Sequence, residues 1–171
     1  MSGFLIISGS TTKKTTANPE HAVGVLATNG RGDLFRYAKA GASGVSAGKL
    51  QLAPTPKTNH DNVAVAAAAA AGAFEVTVTL GATAAVADEY AGGVIVINDA
   101  DGEGGRYIIA GHPAANSSTS LTLTLAEPLD EALTTSSEAC LVHNTWQGVQ
   151  EGTTSTLAPA GVPLVDIAAR S

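Results

Sequence analysis

The stretch NDADGEGGRYIIAGH, residues 98–112, sets three acidic side chains and four glycines close together and runs into an apolar segment. Three chemistries can use such a stretch. A calcium loop needs oxygen ligands at positions 1, 3 and 5 and a bidentate glutamate at position 12, so that the chain wraps one ion. Counted from Asp99, Asp101 and Glu103 fall at 3 and 5, but Ala110 stands at 12. What remains is a weak surface cation held by three carboxylates. A phosphate cradle needs glycine-rich amides opening a helix, with a basic or hydroxyl side chain after them. Here the glycines follow carboxylates and lead into β-rich sequence, and like charge repels an anion. A turn fits best, because Gly102, Gly104 and Gly105 tolerate positive φ and Asp and Asn favour turn starts.

The other reactive residues form no constellation. Arg31-Gly32-Asp33 is the adhesion tripeptide, but it runs directly into the strand-like LFRY. His21, His60, His112 and His143 are scattered, without the carboxylate spacing of a metal pair, and read as solvated or capping side chains. Cys140 is the single cysteine, so no disulfide within the chain and no thiol pair for zinc can form. It lies three residues from His143, an odd spacing that puts the two on opposite faces of a strand. No Gly-x-Ser-x-Gly elbow is present. The expectation is a protein that is not an enzyme and has no cofactor and no resident metal.

Charge is unevenly spread. Residues 1–60 hold seven basic against two acidic side chains, and residues 61–171 hold two basic against thirteen acidic, within a net charge of −6. The acidic total argues against nucleic acid, which needs clustered Lys and Arg. The basic first third is suited to meeting an acidic surface such as a neighbouring subunit. Its Lys13, Lys14, Arg31, Arg36 and Lys39, together with Trp146, are the candidate interface residues. MSGFLIISGS has no basic leader and only four consecutive apolar residues, so neither a signal peptide nor a membrane span is expected there.

The elements that would position these residues are β-strands. FEVTVTL, residues 74–80, alternates strictly, with Phe74, Val76, Val78 and Leu80 on one face. GGVIVIN (92–98), RYIIAG (106–111) and SLTLTLAEPL (120–129) continue the β pattern until Pro128 ends it. Ala66–Ala71 is read either as a short helix or as a small-residue strand. The first 58 residues hold short apolar runs at 4–7, 34–37 and 50–53 in an otherwise irregular basic arm, and Pro54 and Pro56 mark its end. From residue 144 onward, turn and polyproline composition predicts a second extended arm. The expected fold is therefore all-β: a small antiparallel barrel or sandwich over 59–143, with extended arms at 1–58 and 144–171. With only seven aromatic residues, its core must be built from Ala, Val, Leu and Ile.

The middle segment also resembles a known family. An alternating strand ending in Leu-Gly-Ala-Thr is followed by a Tyr-x-x-Gly, a strand, an acidic Gly-rich turn, a Tyr-Ile-Ile strand with Gly-His, and a Leu-rich strand ending at Pro-Leu. With GKLQLAPTPKTNH before it and NTWQGV and GVPLVDIAA after it, the chain over residues 45–168 resembles virion structural proteins of tailed bacteriophages. That resemblance implies a role in the particle without catalysis: a capsid decoration or cement protein, a homotrimer bridging major capsid subunits on the outer surface of the head, made in the host cytoplasm. Neither nucleic acid nor membrane is an expected partner. The alternative is a tail or fibre component that binds a host surface glycan, for which Trp146 and Tyr107 would supply the aromatic platform.

Overall fold

The computed structural model describes residues 4–152 and 156–169. The chain forms two units, residues 56–143 and residues 1–55 with 144–171. In the latter, β1 (Leu5–Ile6), β2 (Leu26–Thr28) and β3 (Leu34–Arg36) form one sheet in that order, after which come β4 (Lys39–Ala40) and β5 (Gln51–Leu52). The short apolar runs of the sequence become these strands because their flanks are Gly, Ser, Thr and Pro, which end pairing.

The second unit holds β6 (Val63–Ala64), β7 (Glu75–Thr79), β8 (Val94–Asp99), β9 (Arg106–Gly111), β10 (Ser120–Leu125) and β11 (Glu138–Val142). They hydrogen-bond in the order β6-β11-β8-β9-β10-β7, every pair antiparallel. A bridge between Val65 and Val78 brings the two ends of this sheet together, so it nearly closes on itself as a barrel. Closure covers the unpaired edges that an open sheet would present. Alternation fills the interior: Leu121, Leu123 and Leu125 of β10 are buried while Thr122 and Thr124 face the other way. Each such leucine contributes about 1.5–3 kcal/mol of burial. On the opposite face, the Thr77 and Thr122 hydroxyls hydrogen-bond across the β7–β10 pair at 3.0 Å.

Ala66–Ala71 forms neither a helix nor a regular strand. The Ala66 amide donates to Thr77 O, and Ala69 makes a two-way bridge with Leu133. These tertiary partners satisfy the backbone groups that a helix would have used internally, and tertiary context overrides alanine's propensity.

The terminal segments, expected as extended arms, are paired with each other in short strands. After the barrel the chain continues into β12 (Gln147–Glu151) and β13 (Pro159–Gly161), and β13, β5, β12 and β4 make a four-stranded sheet. Chain from both ends of the sequence is thereby paired in one unit. Val45 bridges Ile167, Gly48 N donates to Pro163 O, and the Ala47 amide donates to the Asp166 carboxylate at 2.8 Å. Strand pairing supplies what composition alone does not show: partners more than a hundred residues away. Two of the pairings, β1 with β2 and β12 with β4, are parallel.

Candidate functional site

The acidic stretch is the β8–β9 turn. Ile97 N donates to Gly105 O and Gly104 N to Ile97 O, while Ala100, Gly102 and Gly104 all take positive φ. The Asp101 carboxylate accepts the Thr134 hydroxyl at 2.9 Å, and the Asp101 carbonyl accepts that of Ser137 at 2.8 Å, so this residue ties two turns together. Among the described residues, no group of three His, Cys, Asp or Glu side chains is arranged to hold a metal ion.

His21 is exposed, as expected of a solvated side chain, but the other three histidines are not solvated. His60, Tyr90 and His112 are buried in the barrel unit. The Tyr90 hydroxyl lies 2.6 Å from His60 Nδ1, and His60 Nε2 lies 2.9 Å from Thr83 O. A carbonyl only accepts, so Nε2 carries the proton and the neutral ring receives the Tyr90 hydrogen at Nδ1. The Tyr90 amide donates to His112 Nε2 at 3.0 Å, and His112 Nδ1 donates to Pro113 O at 2.8 Å. His143 stacks on the Tyr90 ring with centroids 4.5 Å apart. Its Nε2 lies 3.6 Å from Glu89 Oε1, and Lys57 Nζ reaches both Glu89 oxygens at 2.8 Å.

Burial shapes the titration of this cluster. It would raise the Glu89 carboxyl, but the Lys57 ammonium, the Val86 amide and His143 outweigh it and hold the group below its ordinary value. Burial lowers His143 despite the neighbouring Glu89 carboxylate. The Tyr90 phenol is pushed up, first by burial and then by Glu89. Both ring nitrogens of His60 and of His112 are already engaged, which leaves neither ring a lone pair for a metal or a substrate proton. The cluster is a polar staple inside the barrel unit. Local pattern does not show it, because the contributing residues, Lys57 to His143, are up to 86 positions apart and share no motif.

The candidate interface residues all lie in the other unit, and the structure brings three of them together. Lys14, Arg36 and Trp146 line one cleft of about 330 Å³, whose apolar wall includes Leu5, Ala27 and Phe35, aligned across β1, β2 and β3. Arg36 stacks its guanidinium 4.6 Å from the Trp146 ring centroid and donates to Gly24 O. Gly24 has φ of +89°, and a Cβ there would stand 3.0 Å from Trp146 Cε3, so the indole needs glycine beside it. Lys14 is paired with Glu20 at 2.7 Å. Lys13, Arg31 and Lys39 do not line the cleft. Lys13 is exposed on the 3₁₀ turn Thr11–Lys13, Arg31 is exposed between β2 and β3, and Lys39 is half-buried on β4.

No known family, curated protein or solved structure matches this chain. What it can do is therefore read from its own geometry.

Gln51 and Trp146 line the cleft, and one polar atom of each, Gln51 Oε1 and Trp146 Nε1, is closed to solvent and has no hydrogen-bond partner among the described residues. Gln51 Nε2 donates to Lys49 O, which fixes the oxygen as the free end of the amide. Trp146 is held through its own amide on Asn144 Oδ1. Tyr107, by contrast, lies in the barrel core with its hydroxyl accepting from the Asp130 amide, and it offers no exposed platform. An aromatic surface built on Trp146 and Tyr107 is thus ruled out by burial.

Proposed function

We propose that this protein is a structural component of a tailed-phage virion, a decoration or cement protein that binds the outside of the head shell and bridges major capsid subunits. The observation that carries this reading is the apolar surface of the smaller sheet. Phe4, Ile6 and Leu34 are 63%, 85% and 67% exposed, and Ile6 and Leu34 stand in register across Thr28 on one face of β1–β2–β3. A row of large apolar side chains in water is costly for a lone subunit and suits a surface that another protein covers. Charge supports the same reading. Residues 1–55 and 144–171 carry seven basic against four acidic side chains, while residues 56–143 carry two basic against eleven. Opposite signs on the two units favour ordered contacts with neighbouring subunits, including other copies in a trimer. The sequence resemblance to phage virion proteins points in the same direction.

The alternative, a tail or fibre component that binds a host receptor, draws on Trp146 lining a cleft. Particles with and without the protein separate the two readings. Loss of shell stability on heating, with host adsorption intact, supports the cement role. Loss of adsorption with a stable shell supports the receptor role.

A further inference from the structure

We infer that Arg31-Gly32-Asp33, on the turn between β2 and β3, is a docking site for a cell-surface adhesion receptor, one that takes the Arg31 guanidinium in an acidic socket and the Asp33 carboxylate on a divalent cation of its own. The inference does not rest on the shell reading: neither Arg31 nor Asp33 is part of the apolar row or of the cleft wall. In the sequence the tripeptide runs into LFRY, but β3 begins at Leu34, so all three residues stand outside the strand and all three are exposed. The two charges do not neutralise each other. Among the described residues the Arg31 side chain has no hydrogen-bond or ion-pair partner. Asp33 uses one oxygen, Oδ2, on Asn29 Nδ2 at 2.8 Å, and its Oδ1 is left open. Either charge alone on a surface is ordinary; here both are held in one geometry.

The turn keeps its shape without a partner. Asn29 Oδ1 accepts the Arg31 amide at 2.9 Å and the Asp33 amide at 3.1 Å, and Asn29 O accepts the Gly32 amide at 3.2 Å. Thr28 Oγ1 closes the base by donating to Asp33 O at 3.0 Å. Every backbone N–H of the tripeptide is thus used inside the turn, which presents one cation and one anion outward. Ordering is complete before a partner arrives, and that removes part of the entropy cost of binding. Gly32 has φ of +86°, and a Cβ on Gly30 or Gly32 would meet nothing within 4 Å, so no other described residue crowds the tip and a partner can approach the backbone closely. The chemistry of the partner follows from the two groups. A guanidinium fork is matched by a carboxylate. A single open carboxylate oxygen is a ligand for a hard divalent cation. A surface that offers both within the span of a three-residue turn is the kind of receptor that reads the adhesion tripeptide.

The full chain is immobilised and titrated with a purified integrin ectodomain that reads Arg-Gly-Asp, in buffer with manganese and in buffer with a chelator. The expected result is saturable binding with manganese, abolished by the chelator and displaced by a soluble cyclic Arg-Gly-Asp peptide. Arg31→Ala and Asp33→Glu should each weaken binding at least about tenfold, the size of one lost contact to a charged group. Asp33→Glu keeps the charge and moves the carboxylate by one methylene, so a loss there reports position and not charge alone. Both side chains are exposed, so the two variants should melt with the parent and remain testable. Asn29→Ala keeps both charges and releases the Arg31 and Asp33 amides from its side chain; it should weaken binding roughly three- to tenfold. Parent-like binding by Asn29→Ala would overturn the role given to the braced turn. No saturation with manganese, binding that survives the chelator, or parent-like binding by both Arg31→Ala and Asp33→Glu would overturn the site itself. None of these outcomes decides the shell reading, which co-sedimentation tests separately.

Discussion

The Tyr90 hydroxyl donates to His60 Nδ1 across 2.6 Å, with both side chains shut away from solvent. Tyr90 also anchors His112 through its amide and His143 through its ring, so one residue joins three histidines from distant parts of the chain. Tyr90→Phe keeps the ring and leaves a buried His60 nitrogen without its donor. The expected cost is about 1–3 kcal/mol, read as a fall of several degrees in melting temperature by calorimetry. An unchanged melt would mean that the hydrogen bond contributes nothing net.

Acid should loosen the same unit in two stages. Glu89 and His143 both titrate below their ordinary values of 4.5 and 6.5. For a group whose pKa falls on folding, the unfolded chain takes up the proton first, so its stabilising effect is complete above the unfolded value and lost below it. Stability should therefore decline once pH drops below about 6.5, through His143, and again below about 4.5, through Glu89. Tyr90 has the opposite sign: its pKa is raised on folding, so its contribution is complete below about pH 10 and lost above it. Melting temperature against pH should form a plateau between those limits. His143→Phe should flatten the first step; an unaltered step would place the titration elsewhere.

Two glycines in the acidic turn should differ in tolerance. Both have positive φ, but a Cβ on Gly102 would stand 2.5 Å from Leu133 Cδ2, whereas one on Gly104 meets nothing within 4 Å. Gly104→Ala should cost about 1 kcal/mol of backbone strain. Gly102→Ala should cost roughly 1–3 kcal/mol more, because a buried leucine must move. Denaturant unfolding of the two variants side by side tests the difference.

The apolar row on the smaller sheet should matter for binding and little for folding. Ile6→Lys with Leu34→Lys replaces two exposed side chains, and such surface changes usually stay within about 0.5 kcal/mol each. The melt should hold while affinity for shells falls at least tenfold. Parent-like binding by the double variant would remove this row from the interface.

The barrel strands were legible because their alternation is strict: β9 falls on residues 106–111 as read, and the β10 leucines are buried as their spacing requires. Phe74 breaks the pattern. It alternates with Val76 and Val78 yet is 53% exposed, because it precedes β7 and contributes its carbonyl to the Leu125 amide and not its ring to the core. The terminal unit was legible only in pieces. Short runs such as Leu50–Ala53 announce a strand, but the pairing of Leu52 with both Gln150 and Pro159 is a long-range relation that local pattern does not carry. In the cleft, Arg36 and Trp146 were singled out by charge and aromaticity, whereas Gln51 carries no signal until burial makes its amide oxygen conspicuous.

The most direct test of the central claim is co-sedimentation of the purified protein with expanded phage shells that lack it. Binding that saturates at a fixed ratio to coat protein, and that raises the temperature at which the shells come apart, is the predicted result. A protein that stays in the supernatant at every concentration, beside shells shown to accept another decoration protein, would contradict it.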